Sequence, residues 1–256
     1  DLANNYGPPY GSAEETMGRL MRDDFRPYRD ELFIATKAGF DMWEGPYGNW
    51  GSRKYLMASL DQSLKRMGLD YVDLFYSHRY DPATPLEETL QAMVDIVRQG
   101  KALYLGISSW PLEALKFADR YLRERDVPLL IYQGRLNMID RAPQEEGILD
   151  YCHEHDIGFI SFSPLAQGLL TDRYLNGIPA DSRMAKERSL KHAALTPELL
   201  ARLKRWNAQA SERDETLAEM ALAWILHQKG VTSVLVGASS TAQLEKDMKC
   251  VHAKTF

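Results

Sequence analysis

"LFIATKAG", residues Leu32–Gly39, decides how the rest of the chain reads. It is a short apolar run ending in a lysine and a glycine, the pattern of a strand covered on both faces. The next segment reads as helix. In "SRKYLMASLDQSLKRMG", Ser52 can cap, Leu56, Leu60 and Leu64 share one face, and Gly68 can stop the helix. The same alternation then recurs. "YVDLFYSH" (Tyr71–His78), "ALYLGISS" (Ala102–Ser109), "LLIYQ" (Leu129–Gln133), "GFISFSPL" (Gly158–Leu165) and "TSVLVGAS" (Thr232–Ser239) read as strands. Helices are expected after Thr84, with Pro85 in the first turn and Glu87 closing a capping box, from Pro111 to Glu124, and around Ile148–His155. Further helices are expected from Pro197, Thr216 and Thr241.

No Asn-Gly or Asp-Gly hairpin joins neighbouring strands, so parallel pairing through helical crossovers is the natural arrangement. The six strands could form an open sheet. "DLANNYG" (Asp1–Gly7), however, reads as the tail of another strand breaking into a loop. Restoring that strand and one βα unit before it gives eight. The expectation is an α/β protein, a (β/α)8 TIM barrel forming a single domain over residues 1–256 and truncated at its N-terminus. It would hold about six full strand–helix units plus the end of strand 2.

Composition sets the outer limits. Apolar residues make up 45% and charged residues 26%, ordinary for a soluble domain, and a net charge of −5 argues against nucleic acid or an anionic membrane. No apolar run approaches the ~20 residues of a membrane span. Cys152 and Cys250 stand far apart without metal-ligand spacing, which points to a reducing compartment and a cytoplasmic location. His153 and His155 lie two apart on a helix and face different ways, so no metal site is expected.

Parallel barrels carry their chemistry at the C-terminal strand ends. Here those ends supply Asp1, Tyr6 just beyond it, Lys37, Ser77-His78-Arg79, Ser108-Ser109, Gln133, Ser163-Pro164-Leu165 and Gly237-Ala238-Ser239. The early group suits proton donation to a carbonyl. An ammonium beside the phenol would lower its pKa, a carboxylate would orient the lysine, and a histidine would hold the carbonyl oxygen. Each residue also has an ordinary structural use, so the force lies in their conjunction at consecutive strand ends.

The blocks "DLANNYG", "IATKAG", "YSHR", "LGISS", "SFSPLAQGLLT" and "VLVGAS" resemble, in order and spacing, the signature of the aldo-keto reductase superfamily. The nearest likeness is its branch of bacterial L-glyceraldehyde 3-phosphate and methylglyoxal reductases, related to potassium-channel β subunits. The resemblance implies an NADPH-dependent oxidoreductase acting on small aldehydes, methylglyoxal detoxification being one such role. In it Tyr6 is the general acid, tuned by Asp1 and Lys37, and His78 orients the substrate.

For NADP(H), the resemblance assigns the nicotinamide carboxamide to Ser108 and Gln133 and the ring to Phe162. It assigns the pyrophosphate to Ser163, Pro164, Leu165, Ala166, Gln167, Arg173 and Arg183, and the adenosine-phosphate end to Gly237, Ser239 and Gln243. Several of these have alternatives: Gln243 fits a Ser240-x-x-Gln243 capping box, Phe162 can pack an interior, and the two arginines can be solvated. Ser240 stands where this branch often has arginine or asparagine, removing a clamp on the 2′-phosphate, while Lys246 adds a cation; NADPH is still preferred over NADH.

The aromatic loop "WEGPYGNWG" (Trp43–Gly51) can wall a substrate pocket, with Trp43 as the contact. Two other functions stay open, a nucleotide-sensing regulatory subunit and a Schiff-base aldolase acting through Lys37. The expected partner is a small-molecule aldehyde, and a homo-oligomer is compatible with the resemblance.

Overall fold

The computed structural model describes residues 1–180, 182, 184–185 and 191–253. The chain divides into two compact units, Asp1–Gln133 and the residues from Gly134 onward.

In the first unit, four strands pair in parallel and in sequence order: β1 (Ala35–Ala38), β2 (Val72–Ser77), β3 (Ala102–Ser108) and β4, which begins at Leu129 and runs to Arg135. Every residue of β1 and β2 is buried, as continuous apolar runs require. Residues 2–4 lie along β1, with the Leu2 amide donating to the Ala35 carbonyl (2.8 Å) and the Asn4 amide to that of Lys37 (2.9 Å). The register aligns the strand ends, Lys37 opposite Tyr76, Ala38 opposite Ser77 and Ser108 opposite Gln133. Tyr76 fits against β3 only because Gly106 has no side chain, since a Cβ there would lie 2.5 Å from the Tyr76 ring.

Helix α1 (Ser12–Leu20) was not evident in the sequence. It packs on α2 (Arg53–Met67), and Gly18 makes the approach possible because a Cβ there would stand 2.3 Å from the Arg66 carbonyl oxygen. Glu14, fully buried on α1, accepts from Arg66 Nε (2.8 Å) and from the Thr36 hydroxyl of β1. A carboxylate without water needs such a set of donors. Helix α2 conforms to the expected reading. The Ser52 hydroxyl accepts from the Tyr55 amide, Leu56, Leu60 and Leu64 are buried, and Gly68 ends the helix at φ 65°.

Helix α3 (Leu86–Arg98) corrects the expected cap. Pro85, not Thr84, is the N-cap, and no side chain among the described residues caps the helix. The Thr84 amide is drawn instead to Asp81 Oδ1 (3.3 Å), together with that of Ala83 (2.8 Å), so no capping box with Glu87 can form. Helix α4 (Leu112–Arg123) buries Leu115, Ala118 and Leu122.

In the second unit, short helices α5 (Ala142–Glu145) and α6 (Ile148–Glu154) precede β5 (Gly158–Phe162). That strand pairs in parallel with β6 (Val231–Val234), which ends earlier than its apolar run suggested. Between them lie α7 (Pro197–Glu212), capped by Thr196, and α8 (Leu217–Leu226), closed by a Thr216–Glu219 capping box. Helix α9 (Thr241–Met248) comes after β6. Leu170, Leu203, Ala210, Leu217, Met220 and Ala221 make a buried cluster here. No helix among the described residues is long and apolar enough to cross a membrane.

Candidate active site

The first unit gathers six of the anticipated residues, Asp1, Tyr6, Lys37, His78, Ser108 and Gln133. Lys37 sits on the fully buried strand β1, and its own side chain is inaccessible to solvent. Its Nζ bonds the Asp1 carboxylate and the Leu2 carbonyl oxygen (2.8 Å). The same nitrogen lies 5.3 Å from the ring centroids of both Tyr6 and Tyr76. Burial pushes the Lys37 ammonium down to about 7, and the Asp1 carboxylate is what holds a charge in that setting.

Tyr6 lies just past the extended segment that pairs with β1, in a loop that turns it out, 38% exposed, over the lysine. Its ring meets His78 edge-on, centroids 5.8 Å apart. The anticipated lowering of the phenol does not occur. Lys37 lies 5.3 Å from the ring centroid and gives hydrogen bonds to Asp1 and Leu2, and burial raises the Tyr6 pKa. A raised value keeps the phenol protonated, which a proton donor requires.

His78 stands directly after β2 and is fixed by its amide, which donates to the Ala38 carbonyl (2.9 Å). Phe40 packs edge-on against its other side at 4.7 Å. Burial first, then the charges of Lys37 and Arg79, push the imidazole down to about 3. It is therefore neutral, and one ring nitrogen donates while the other accepts. Its Nδ1 is buried without a hydrogen-bond partner among the described residues. Such an arrangement can hold a carbonyl oxygen through an N–H at Nε2 without competing with Tyr6 as an acid.

Gln133 and Ser108, paired across β3 and β4, are both 3% exposed. The Gln133 amide nitrogen reaches Asp1 Oδ1 at a long 3.3 Å, linking this pair to the lysine. The Ser108 hydroxyl makes no hydrogen bond among the described residues. A buried amide and a buried free hydroxyl at adjacent strand ends are a suitable set for a carboxamide.

Among the described residues no ring contact joins Trp43 to Tyr6 or His78. The Trp43 ring meets that of Tyr55 at a tilt of 38°, centroids 5.2 Å apart, and it lines a cavity of about 620 Å³ with Tyr10, Met42, Asn49 and Trp50. Three residues that sequence reasoning gave no role, Asn4, Tyr55 and Phe40, make contacts with this region: Tyr55 meets Trp43 and Phe40 meets His78. Asn4 donates to the Tyr55 hydroxyl (3.1 Å), and Tyr55 donates to the Phe40 carbonyl. Asn4 lay within the quoted opening segment, but its partner is 51 residues away, so nothing local marked it.

The second unit holds the remaining candidates. After β5, Ser163, Ala166 and Gln167 all have positive φ (51°, 46° and 60°), a left-handed backbone that L-residues adopt at a cost. The turn is held by the Ser163 carbonyl, which accepts from Asn137 Nδ2 (3.1 Å) and the Ala166 amide (2.9 Å). Pro164 and Leu165 lie within it. Phe162 is half-buried, with the Arg135 guanidinium 5.6 Å from its ring centroid. Arg173 is exposed in a short turn. Arg183 lies outside the described residues.

Gln243 does act as a cap: its Oε1 accepts from the Ser239 amide and hydroxyl, both 3.0 Å, and its amide reaches the Gly237 carbonyl at 3.4 Å. Ser240 in turn accepts from the Gln243 amide of α9. These bonds tie the exposed Gly237 and Ser239 to the half-buried Gln243 in the first turn of α9.

Parallel strands joined by helices, with a lysine–carboxylate pair, a tyrosine and a neutral histidine at their ends, define an α/β protein with a polar cluster at its strand ends. Residues 1–255 match the model of the aldo/keto reductase family, and the chain belongs to that family. Its α/β architecture agrees with part of the family's (β/α)8 barrel. It is similar to L-glyceraldehyde 3-phosphate reductase of Escherichia coli K12, 55% identical over 261 residues, covering all of this chain and 75% of that protein. It is also 37% identical over 248 residues to a probable voltage-gated potassium channel subunit beta of Arabidopsis thaliana, covering 94% of this chain and 74% of that one.

Proposed function

We propose that the protein reduces small aldehydes to alcohols with NADPH, glyceraldehyde 3-phosphate and methylglyoxal being the first substrates to consider. One observation carries this reading: a tyrosine kept protonated beside a neutral histidine and above a lysine–aspartate pair. When bound, the nicotinamide supplies a hydride to the carbonyl carbon. Ser108 and Gln133 would hold its carboxamide. In the second unit, the loop from Phe162 to Gln167, with Arg173, and the turn of Gly237, Ser239 and Gln243 would take the rest of the dinucleotide.

The chain's own residues do the remaining work. His78 donates from Nε2 to the carbonyl oxygen and aligns it with Tyr6. The phenol of Tyr6 gives its proton to that oxygen as negative charge develops there. Lys37, 5.3 Å from the Tyr6 ring centroid, places its positive charge beside the phenolate that is left, and Asp1 fixes the lysine. The 55% identity to a reductase of glyceraldehyde 3-phosphate supports the substrate class.

The test is the loss of reduced-nicotinamide absorbance when the purified protein meets methylglyoxal or glyceraldehyde 3-phosphate, with NADH as comparator. Turnover with NADPH well above that with NADH is expected. Tight NADPH binding with no turnover on any aldehyde would replace this reading with that of a nucleotide sensor.

A further inference from the structure

Arg79, immediately after His78, is a half-buried cation with no carboxylate partner among the described residues. Its contacts are instead with the segment after β1. Its Nε donates to the Gly39 carbonyl (2.7 Å) and its Nη2 to Asn49 Oδ1 (2.7 Å). Its guanidinium lies 3.5 Å from the ring centroid of Trp50 and 4.3 Å from that of Phe40. Asn49 is held further, accepting from the Trp50 amide (2.7 Å) and donating to Asp41.

The two ends of this set of contacts lead to different places. Asn49 and Trp50 wall the cavity that also contains Trp43 and Tyr10. Phe40 packs on the imidazole of His78, and a Cβ on Gly39 would stand only 3.0 Å from the His78 Cβ. A planar guanidinium can stack between rings while its N–H groups reach two acceptors, and a lysine cannot do both. We propose that Arg79 is a positioning residue for aldehyde specificity, clamping residues 39–51 so that the cavity wall at Asn49 and Trp50 keeps a fixed place relative to His78. The specificity half of this inference rests on the reductase reading; the clamp does not.

The experiment compares wild type, R79K and R79Q by two readouts, steady-state kinetics with methylglyoxal and backbone amide exchange measured peptide by peptide. In both variants exchange over residues 40–51 should quicken about tenfold while α2 is unchanged, since the loop loses its anchor and the helix does not. The KM for the aldehyde should rise about tenfold with kcat and the KM for NADPH within about threefold, the pattern of a lost binding wall rather than lost chemistry. R79K keeps the charge, so a folding defect in R79Q alone leaves the comparison intact. Unchanged exchange over 40–51 in both variants overturns the clamp. Faster exchange with an unchanged aldehyde KM overturns the specificity role and leaves a merely structural arginine. If the wild type reduces no aldehyde, the proposed function falls, and the exchange data alone still decide whether Arg79 anchors the loop.

Discussion

Tyr6→Phe lowers aldehyde reduction by about three orders of magnitude while leaving NADPH affinity within about twofold, because a general acid contributes on the order of 10²–10⁴ in rate. The substitution deletes one oxygen from a ring that is 38% exposed and makes no hydrogen bond through its hydroxyl among the described residues. The edge-on contact with His78 and the Lys37 contact to the ring both survive in phenylalanine. A folding defect is therefore not expected, and circular dichroism and the melting temperature should match wild type. The neutral His78 cannot substitute as an acid, since its imidazole is held down to about 3. Residual turnover near the wild-type rate would remove Tyr6 from the proton-donating role.

Lys37→Met is the second large effect, a fall in kcat of about 10²- to 10³-fold, the range for removing one preorganised electrostatic group at the reacting centre. Methionine fills much of the same volume on buried β1 but ends the bonds to Asp1 and Leu2. The pH profile supplies an independent readout. Lys37 holds its proton only up to about 7, so the ammonium facing Tyr6 is present below that pH and lost above it. Wild-type turnover should then decline as pH rises through about 7, and Lys37→Met should lack that decline.

The same low pKa is also what a Schiff-base lysine would have, so the pair of variants separates the two chemistries. An aldolase would lose everything with Lys37→Met and little with Tyr6→Phe, and borohydride would trap substrate on Lys37. The reductase reading expects both variants to fail and no trapping.

Much of this was written locally in the chain. Lys37, His78 and Gln133 end apolar runs bounded by turn residues, and parallel alternation then brings those ends together in register. Where partners are distant, the sequence was silent. Helix α1 left no apolar stripe to read because its buried residue is Glu14, acceptable inside only beside Arg66 and Thr36. Thr84 looked like a cap until Asp81 took its amide. The sign of the Tyr6 shift depended on how deeply the folded chain buries the phenol, which no spacing rule encodes. Arg79 was visible at a strand end, yet its contacts lie 30 and 40 residues away, and its role became legible only through them.

The central claim is direct hydride reduction of a carbonyl that Tyr6 protonates. Its most direct test is to give the protein NADPH carrying deuterium on both C4 positions of the nicotinamide, with methylglyoxal, and to locate the label by mass spectrometry and NMR. The account predicts an alcohol with a single deuterium on the former carbonyl carbon and none on its hydroxyl, formed in step with nicotinamide oxidation. An alcohol without label, or a product with a new carbon–carbon bond, would contradict it.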